Sequence, residues 1–93
     1  MIIDFDICKP EKTIDEQLLR IDEELMEVRG ALAVYQVSQS QKDRAEVLFE
    51  LLDTMNAALT AICIMFDSDE IAAGVQYVNA KNFVRHYLAE CEG

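Results

Sequence analysis

An apolar seam near the start of the chain constrains the fold more than any other feature. The seam recurs at alternating spacings of four and three residues, at Ile14, Leu18, Ile21, Leu25, Val28, Leu32 and Tyr35. Such spacings place side chains on one side of an α-helix. Thr13 and Glu16 form a capping-box pattern at its start, with Thr13 as the N-cap. The sequence therefore predicts an amphipathic helix that runs to about Ser38.

Two further helices are predicted after polar breaks in the pattern. The segment Ser38–Lys42 interrupts the periodicity, and Asp43 with Glu46 indicates a second helix start, with Asp43 as the N-cap. This second helix is expected to run to about Phe66, and its wide apolar arc is typical of a helix packed against several neighbours. Ser68 is predicted to cap a third helix that ends in the mid-eighties.

These elements predict a single domain over residues 1–93, an all-α antiparallel bundle of three main helices. Three Gly and one Pro in 93 residues favour helices over a sandwich of short strands. Residues 1–10 are expected to form an edge strand or an extended arm, and residues 89–93 a tail. Helices this apolar cannot cover one another fully in a monomer, so we expect a homodimer or a homotetramer.

The net charge of −10 argues against several classes of partner. An acidic surface without a Lys/Arg stripe repels nucleic-acid backbones and anionic membranes, so neither is expected to bind. The sequence has no run of 18 apolar residues, which predicts no membrane span. Asp4 follows three apolar residues at once, unlike a secretory signal, so a cytoplasmic location is expected.

Two pairs of acids interrupt the apolar patterns and indicate a metal site. Glu24 pairs with Glu27, and Glu50 with Asp53. Residues three apart lie only about 60° from each other on a helix, so each pair points to one side. Two such helices packed together would gather four carboxylates, which repel one another unless divalent cations lie among them. This pattern predicts Mg²⁺, with Mn²⁺ as the alternative ion, and Gln17 falls on the same edge of the first helix as Glu24.

Four stretches carry a resemblance to a known family. The acids in Glu23–Glu27 and Glu50–Asp53 resemble the E-x-x-E…E-x-x-D signature of the MazG-like, all-α nucleoside triphosphate pyrophosphohydrolases. The stretch Gln17–Ile21 resembles the Q-L-x-K-L lead-in of this group. The stretch Asn79–Tyr87 is similar to the H-N-x-K-N-x-x-R-G-Y ending of short bacterial and phage members. The resemblance covers roughly residues 13–88 and departs where Val78 replaces His and His86 replaces Gly.

The resemblance implies hydrolysis of a nucleoside triphosphate between its α and β phosphates, giving a monophosphate and pyrophosphate. It implies a set of acids that hold the metal and perform catalysis, namely Glu24, Glu27, Glu50 and Asp53. It also implies substrate-binding donors at Gln17, Asn79, Lys81, Asn82 and Arg85. Asn79 and Lys81 point in nearly opposite directions on a helix, so they serve one site only if the helix ends there or Lys81 reaches a partner subunit.

Other interpretations remain open from the residues alone. Acids three or four apart on helices are usually solvated surface. A ferritin-like di-iron bundle needs Glu-x-x-His pairs, and Phe83 stands three residues before His86. A non-catalytic helical interaction module needs only the apolar seams. A hydrolase of the same superfamily could act instead on another nucleotide, such as phosphoribosyl-ATP.

Overall fold

The computed structural model describes residues 3–5 and 12–92, with side chains up to His86. It contains α1 (Ile14–Ser38), α2 (Gln41–Met65) and α3 (Ser68–Glu92), each of 25 residues. Over this part of the chain there is no strand, and residues 3–5 have no regular structure. The prediction of an all-α fold with three main helices is confirmed. The rest of the predicted N-terminal arm lies outside the described residues.

The start and end of α1 follow the predicted pattern. Thr13 Oγ1 accepts a hydrogen bond from the Glu16 backbone N–H at 3.2 Å and donates to Glu16 Oε1 at 3.3 Å. This satisfies one of the N–H groups that a helix start leaves free. At the other end, Gln39 adopts a left-handed conformation with φ of 56°, and its N–H donates to the Tyr35 carbonyl at 2.8 Å. This C-cap stops α1 and turns the chain back.

The second helix begins three residues before the predicted position. Ser40 is the N-cap, because its Oγ accepts from the Asp43 backbone N–H at 3.1 Å. Asp43 therefore lies in the first turn, and its carboxylate accepts from the Ser38 hydroxyl. The prediction of Asp43 as the N-cap is wrong. Two overlapping pairs have the three-residue spacing of a cap, Ser40 with Asp43 and Asp43 with Glu46, and the spacing alone does not decide between them. The connection between α1 and α2 is only two residues long.

The third helix is capped by Asp67 rather than Ser68. Asp67 Oδ1 accepts from the Glu70 N–H at 2.9 Å, and Glu70 Oε1 accepts from the Asp67 N–H at 3.2 Å. This reciprocal pair is a complete capping box, so Ser68 is the first helical residue. The helix continues to Glu92, beyond the predicted end in the mid-eighties, so most of the expected tail is helical.

Helices α1 and α2 pack against each other as an antiparallel hairpin, whereas α3, over its described residues, has no comparable packing against either. Among the described residues, the buried side chains are few: Ala57 and Ala61 on α2, and Gln17 and Glu24 on α1. Small side chains let two helices approach closely. The fully buried part of the hairpin contact is therefore small, and it includes polar groups of α1.

By length and composition, α2 is apolar enough to cross a membrane, with a mean hydropathy of 1.6 in its most apolar stretch. It is the one helix of the described chain with this property. The sequence-based prediction of no such segment considered only uninterrupted apolar runs, and α2 carries Glu50 and Asp53 within its length. A core helix of a soluble protein has the same composition, so the observation is weak evidence for a membrane.

A candidate metal site between the first two helices

Three glutamates from the two packed helices meet at one place. Glu24 and Glu27 come from α1 and Glu50 from α2. One carboxylate oxygen of each lies within 4.8 Å of the others. Three of the four acids that the sequence singled out are therefore brought together. The antiparallel pairing of α1 and α2 produces this meeting, because it places the middle of α1 beside the first half of α2.

Glu24 is the most enclosed acid of the group, with 3% of its surface exposed. Its Oε1 forms an ion pair with Arg20 Nη2, one turn earlier on α1, at 2.5 Å. Its Oε2 is buried and has no hydrogen-bond partner. A buried carboxylate oxygen without a partner is costly, so native proteins normally satisfy it with protein, water or a cation.

Glu50 presents a second buried oxygen of the same kind. Its Oε2 also has no hydrogen-bond partner. Loss of hydration raises the pKa of Glu50, and the adjacent Glu27, Asp53 and Glu24 carboxyls raise it further. Repulsion of this kind is relieved when a divalent cation supplies the opposite charge.

Burial is also the largest influence on Glu24. It raises the pKa of the Glu24 carboxyl, the Arg20 guanidinium opposes this, and Glu27 and Asp53 add to the rise. One guanidinium therefore does not compensate for the enclosed, like-charged surroundings. Without a cation, both Glu24 and Glu50 are harder to ionise than ordinary glutamates.

Asp53 occupies the margin of the cluster. Its side chain is exposed, and it is not among the three acids whose oxygens meet. Its charge nevertheless raises the pKa of both Glu24 and Glu50, which places it close to them. The structure thus supports a core of three acids, with the fourth predicted ligand beside it.

A hollow of about 320 Å³ adjoins the acids. Two further acids line it, Asp43 and Glu46, which the sequence predicted only as a helix start and not as site residues. Its lining residues are Glu27, Ala31, Val34, Asp43, Glu46 and Glu50. Asp43 and Glu46 continue the stripe of Glu50 and Asp53 back toward the start of α2, at spacings of three and four residues. That spacing was visible in the sequence. Hydrogen bonds from Ser38 and Ser40 lower the pKa of Asp43, which keeps this end of the hollow negatively charged.

Gln17 is buried between the two helices, two turns before Glu24. Its Nε2 donates to the Ala57 backbone carbonyl at 3.0 Å, and 4% of its surface is exposed. In this arrangement its amide ties α1 to α2. Contact with substrate, which the resemblance implies for Gln17, stays a prediction.

The predicted donors of α3 are not brought to the acids within one chain. Asn79, Lys81, Asn82 and Arg85 are all exposed, and none lines the hollow beside the acids. Asn79 borders a groove shared with the end of α2, whereas Lys81 and Arg85 border a separate surface depression. The expected divergence of Asn79 and Lys81 around the helix is therefore seen, and their role in substrate binding stays a prediction.

The donor set fits a hard divalent cation. Carboxylate oxygens are the side-chain ligands that Mg²⁺ prefers, and Mg²⁺ keeps several positions for water or phosphate oxygens. Three carboxylates leave such positions free. The described residues provide no histidine or thiolate at this cluster that would favour a softer metal.

Comparisons of the chain with protein-family models, with curated proteins and with solved structures found no match.

Proposed function

We propose that this protein is a Mg²⁺-dependent nucleoside triphosphate pyrophosphohydrolase, which cleaves NTPs or dNTPs between the α and β phosphates. The observation that carries the proposal is the group of three glutamates with two buried, unpartnered oxygens. A merely solvated set of acids has its oxygens in water. Enclosed acids without partners instead suit a bound cation.

Electrostatics support a metal-dependent reaction on an anionic substrate. The chain has a net charge of −10, and the hollow beside the cluster contains further acids. A triphosphate would be repelled by this surface in the absence of cations. Glu24, Glu27 and Glu50 would hold Mg²⁺, which would supply positive charge against the phosphates and against the charge that develops in the transition state.

The residues then have distinct roles in the proposed reaction. Glu24, Glu27 and Glu50 would hold the cation, with Asp53 at the margin. A water oxygen bonds to a phosphorus atom beside the α–β bridge, and the bond from that phosphorus to the bridging oxygen breaks. A carboxylate of the cluster accepts the proton that the water loses. The products are a nucleoside monophosphate and pyrophosphate, so the reaction consumes one water and no other co-reactant.

The resemblance of the sequence motifs gives independent support. Three of the four acids that resemble the family signature, Glu24, Glu27 and Glu50, meet in space. Asn79, Lys81, Asn82 and Arg85 are the proposed donors to phosphate or sugar oxygens. Since they lie away from the acids of their own chain, we propose that they act by a movement of α3 or from a second subunit.

Two alternatives make different predictions. A non-catalytic helical module is favoured by the exposed apolar side chains, and it predicts no turnover and no response to Mg²⁺ in any acid variant. A related hydrolase acting on another nucleotide, such as phosphoribosyl-ATP, predicts turnover of that compound and little release of pyrophosphate from common NTPs.

The direct test is a panel of NTPs and dNTPs with Mg²⁺, assayed for pyrophosphate and for orthophosphate. We expect pyrophosphate and the matching monophosphate in equal amounts, and no turnover with EDTA. Release of orthophosphate alone would contradict the proposed cleavage position. Absence of turnover with the whole panel and with phosphoribosyl-ATP would favour the interaction module.

A matched pair of variants tests whether the cluster carries the activity. Glu27→Gln removes an acid of the cluster, and Glu23→Gln removes another exposed acid one turn earlier on α1. Mutation of an outer-shell partner of a metal ligand lowers metal affinity or activity roughly 10- to 100-fold. Glu27→Gln changes a proposed ligand itself, so it should lower activity at least about 100-fold. Glu23→Gln should retain activity. Equal activity of the two variants would exclude the cluster as the site.

A further inference from the structure

The two carboxylate oxygens of Glu24 have different surroundings. Oε1 forms an ion pair with Arg20 Nη2 at 2.5 Å. Oε2 is buried and has no hydrogen-bond partner. Only 3% of the Glu24 surface is exposed, so hydration compensates little for either oxygen. The carboxylate therefore has one oxygen with a positive partner and one oxygen without any.

Arg20 reaches Glu24 along the surface of α1. It lies four residues before Glu24 and about 40° away round the helix, a separation at which side chains meet on one face. Its side chain is 49% exposed, so the guanidinium stays partly hydrated while it pairs with an enclosed acid. Arg20 Nη1 also lies 3.4 Å from Glu23 Oε2, on the exposed side of the pair. The guanidinium is thus held between a buried and an exposed carboxylate.

The guanidinium lies at the end of the acid cluster that is remote from the hollow. The α1 residues that line the hollow all follow Glu24 in the chain, namely Glu27, Ala31 and Val34. Arg20 precedes Glu24 by one turn and does not line the hollow. It therefore contacts the cluster from outside and leaves the hollow free.

We propose that Arg20 is a positioning residue of the metal site, which holds Glu24 Oε1 so that Oε2 alone is offered to the cation. This inference rests on the metal site of the proposed function. Since Oε1 is already paired, coordination of one ion by both oxygens of Glu24 would require the ion pair with Arg20 to break. Arg20 acts through Glu24 and not on the substrate.

Coordination through one oxygen favours Mg²⁺ over Ca²⁺. Mg²⁺ requires a near-octahedral set of ligands and keeps several waters, so it uses few carboxylate oxygens. Ca²⁺ takes about six to eight oxygens and can bind a carboxylate through both of them. By pairing with Oε1, Arg20 removes a ligand that Ca²⁺ would use and that Mg²⁺ does not need. The guanidinium therefore favours the smaller ion.

The test is calorimetric titration of the full chain with MgCl₂ and with CaCl₂, in the absence of nucleotide. Arg20→Met removes the guanidinium and keeps an unbranched side chain. It should weaken Mg²⁺ binding by about 10- to 100-fold, as the loss of an outer-shell partner does. It should weaken Ca²⁺ binding less, so the ratio of Mg²⁺ affinity to Ca²⁺ affinity should fall on the order of tenfold.

The ratio of the two affinities is the decisive quantity. Loss of a positive charge changes the electrostatic attraction for both divalent cations alike, and a general loss of structure also weakens both. Neither effect changes the ratio. An equal change in the two affinities, in either direction, or no change in them overturns the role of Arg20.

Arg29→Met is the matched control. Arg29 is exposed on the same helix and follows Glu24 by five residues, which places it about 140° away round α1. Both substitutions remove one positive charge from a chain with a net charge of −10. Arg29→Met should leave the ratio unchanged. An equal fall in the ratio with both variants overturns the assignment to Arg20.

Arg20→Lys tests whether a positive group on Oε1 is sufficient. A Lys ammonium can form an ion pair with an acid four residues later, so the ratio should stay close to that of wild type. The low ratio of Arg20→Met in the Lys variant would overturn the proposal. Arg20→Met leaves a buried charge without a partner, so Arg20→Gln replaces it in the same titrations if it loses its helical circular dichroism.

The titrations also distinguish failure of this inference from failure of the proposed function. A wild-type chain that binds neither ion overturns the metal site and the role of Arg20 with it. A wild-type chain that binds Mg²⁺, with the same ratio in Arg20→Met, overturns the role of Arg20 alone and leaves the proposed function intact. A ratio that falls in Arg20→Met and is kept in both Arg20→Lys and Arg29→Met supports the proposal.

Discussion

Replacement of Glu24 by Gln should have opposite effects on stability without and with Mg²⁺. The substitution keeps the shape of the side chain and removes its charge. In the metal-free protein, the ionised Glu24 lies within 4.8 Å of the nearest oxygens of Glu27 and Glu50. Two unit charges at that separation repel by about 0.9 kcal/mol in water and about 3.5 kcal/mol at an effective dielectric constant of 20. Arg20 offsets part of this repulsion through its ion pair with Glu24.

The raised pKa of Glu24 shows whether its charge stabilises or destabilises the metal-free protein. Because burial and the neighbouring acids outweigh Arg20, the ionised carboxyl costs stability at neutral pH. We therefore expect metal-free Glu24→Gln to be more stable than wild type by about 1 kcal/mol, the lower end of the Coulomb range. For a domain of this size that corresponds to a melting temperature about 4–8 °C higher.

Mg²⁺ should reverse the order of the two proteins. A ligand at 100 times its dissociation constant stabilises the native state by about 2.7 kcal/mol. Wild type should gain this stabilisation, whereas Glu24→Gln should lose most of it with the loss of a ligand. The assay is thermal unfolding followed by circular dichroism, at one protein concentration, with EDTA or with MgCl₂.

Glu23→Gln is the matched control. Glu23 is adjacent on α1 and also contacts Arg20, at 3.4 Å, but its side chain is 64% exposed. It should change neither the metal-free stability nor the response to Mg²⁺ appreciably, as is usual for exposed pairs. A Glu24→Gln protein that is less stable in EDTA, or that keeps the full response to Mg²⁺, would refute the reasoning.

Three further predictions concern the scaffold. Gly30→Ala should stabilise the protein by about 0.4–1 kcal/mol in urea unfolding, because the added Cβ meets nothing within 4 Å in the middle of α1; destabilisation would indicate an undetected neighbour. Ala61→Leu should destabilise it by about 1–3 kcal/mol through overpacking between α1 and α2, whereas Leu at the exposed Ala33 should be tolerated. Asp43 has a lowered pKa, so its contribution to stability is present above its ordinary pKa and is lost as pH falls through the lowered value. Ser38→Ala should move the pKa of Asp43 back toward its ordinary value in an NMR titration of the carboxyl, and an unchanged pKa would contradict the assigned cause.

The helices were predictable because their signals are local. The helix that the seam of α1 predicts and the N-cap at Thr13 need only residues within a few turns of one another, and both are confirmed. The seam residues Leu18, Leu25 and Leu32 are nevertheless exposed. The start of α2 was misplaced because two overlapping pairs had the same capping spacing. Only the hydrogen bond from the Asp43 N–H to Ser40 decides between them.

The meeting of the acids was predictable in outline but not in detail. Helical spacing indicated that Glu24, Glu27 and Glu50 would share a cleft, and they do. It could not indicate that Asp53 would remain at the margin, since that depends on the rotation of α2 against α1. The four-residue separation of Arg20 and Glu24 permits an ion pair on one helix face. The strength of that ion pair depends on how deeply Glu24 is buried, which the separation does not show.

The position of α3 was not accessible from local patterns. Its apolar residues predicted packing, but a helix of this kind can pack on its own chain or on another. The structure leaves Asn79, Lys81 and Arg85 away from the acids. The resemblance groups these residues by function, whereas their arrangement in space depends on contacts that a single sequence does not specify.

The alanines between α1 and α2 have a consequence for which ion the proposed metal site would select. Ala57 and Ala61 set how closely the two helix axes approach, and so they fix the reach between ligands that lie on different helices. Mg²⁺ requires oxygen distances of about 2.0–2.1 Å, whereas Ca²⁺ accepts about 2.3–2.6 Å. Ala57→Ser, a slightly larger spacer, should therefore shift the preference from Mg²⁺ toward Ca²⁺ in competition titrations. Selectivity for ionic radius would then be adjusted by side chains that never touch the ion.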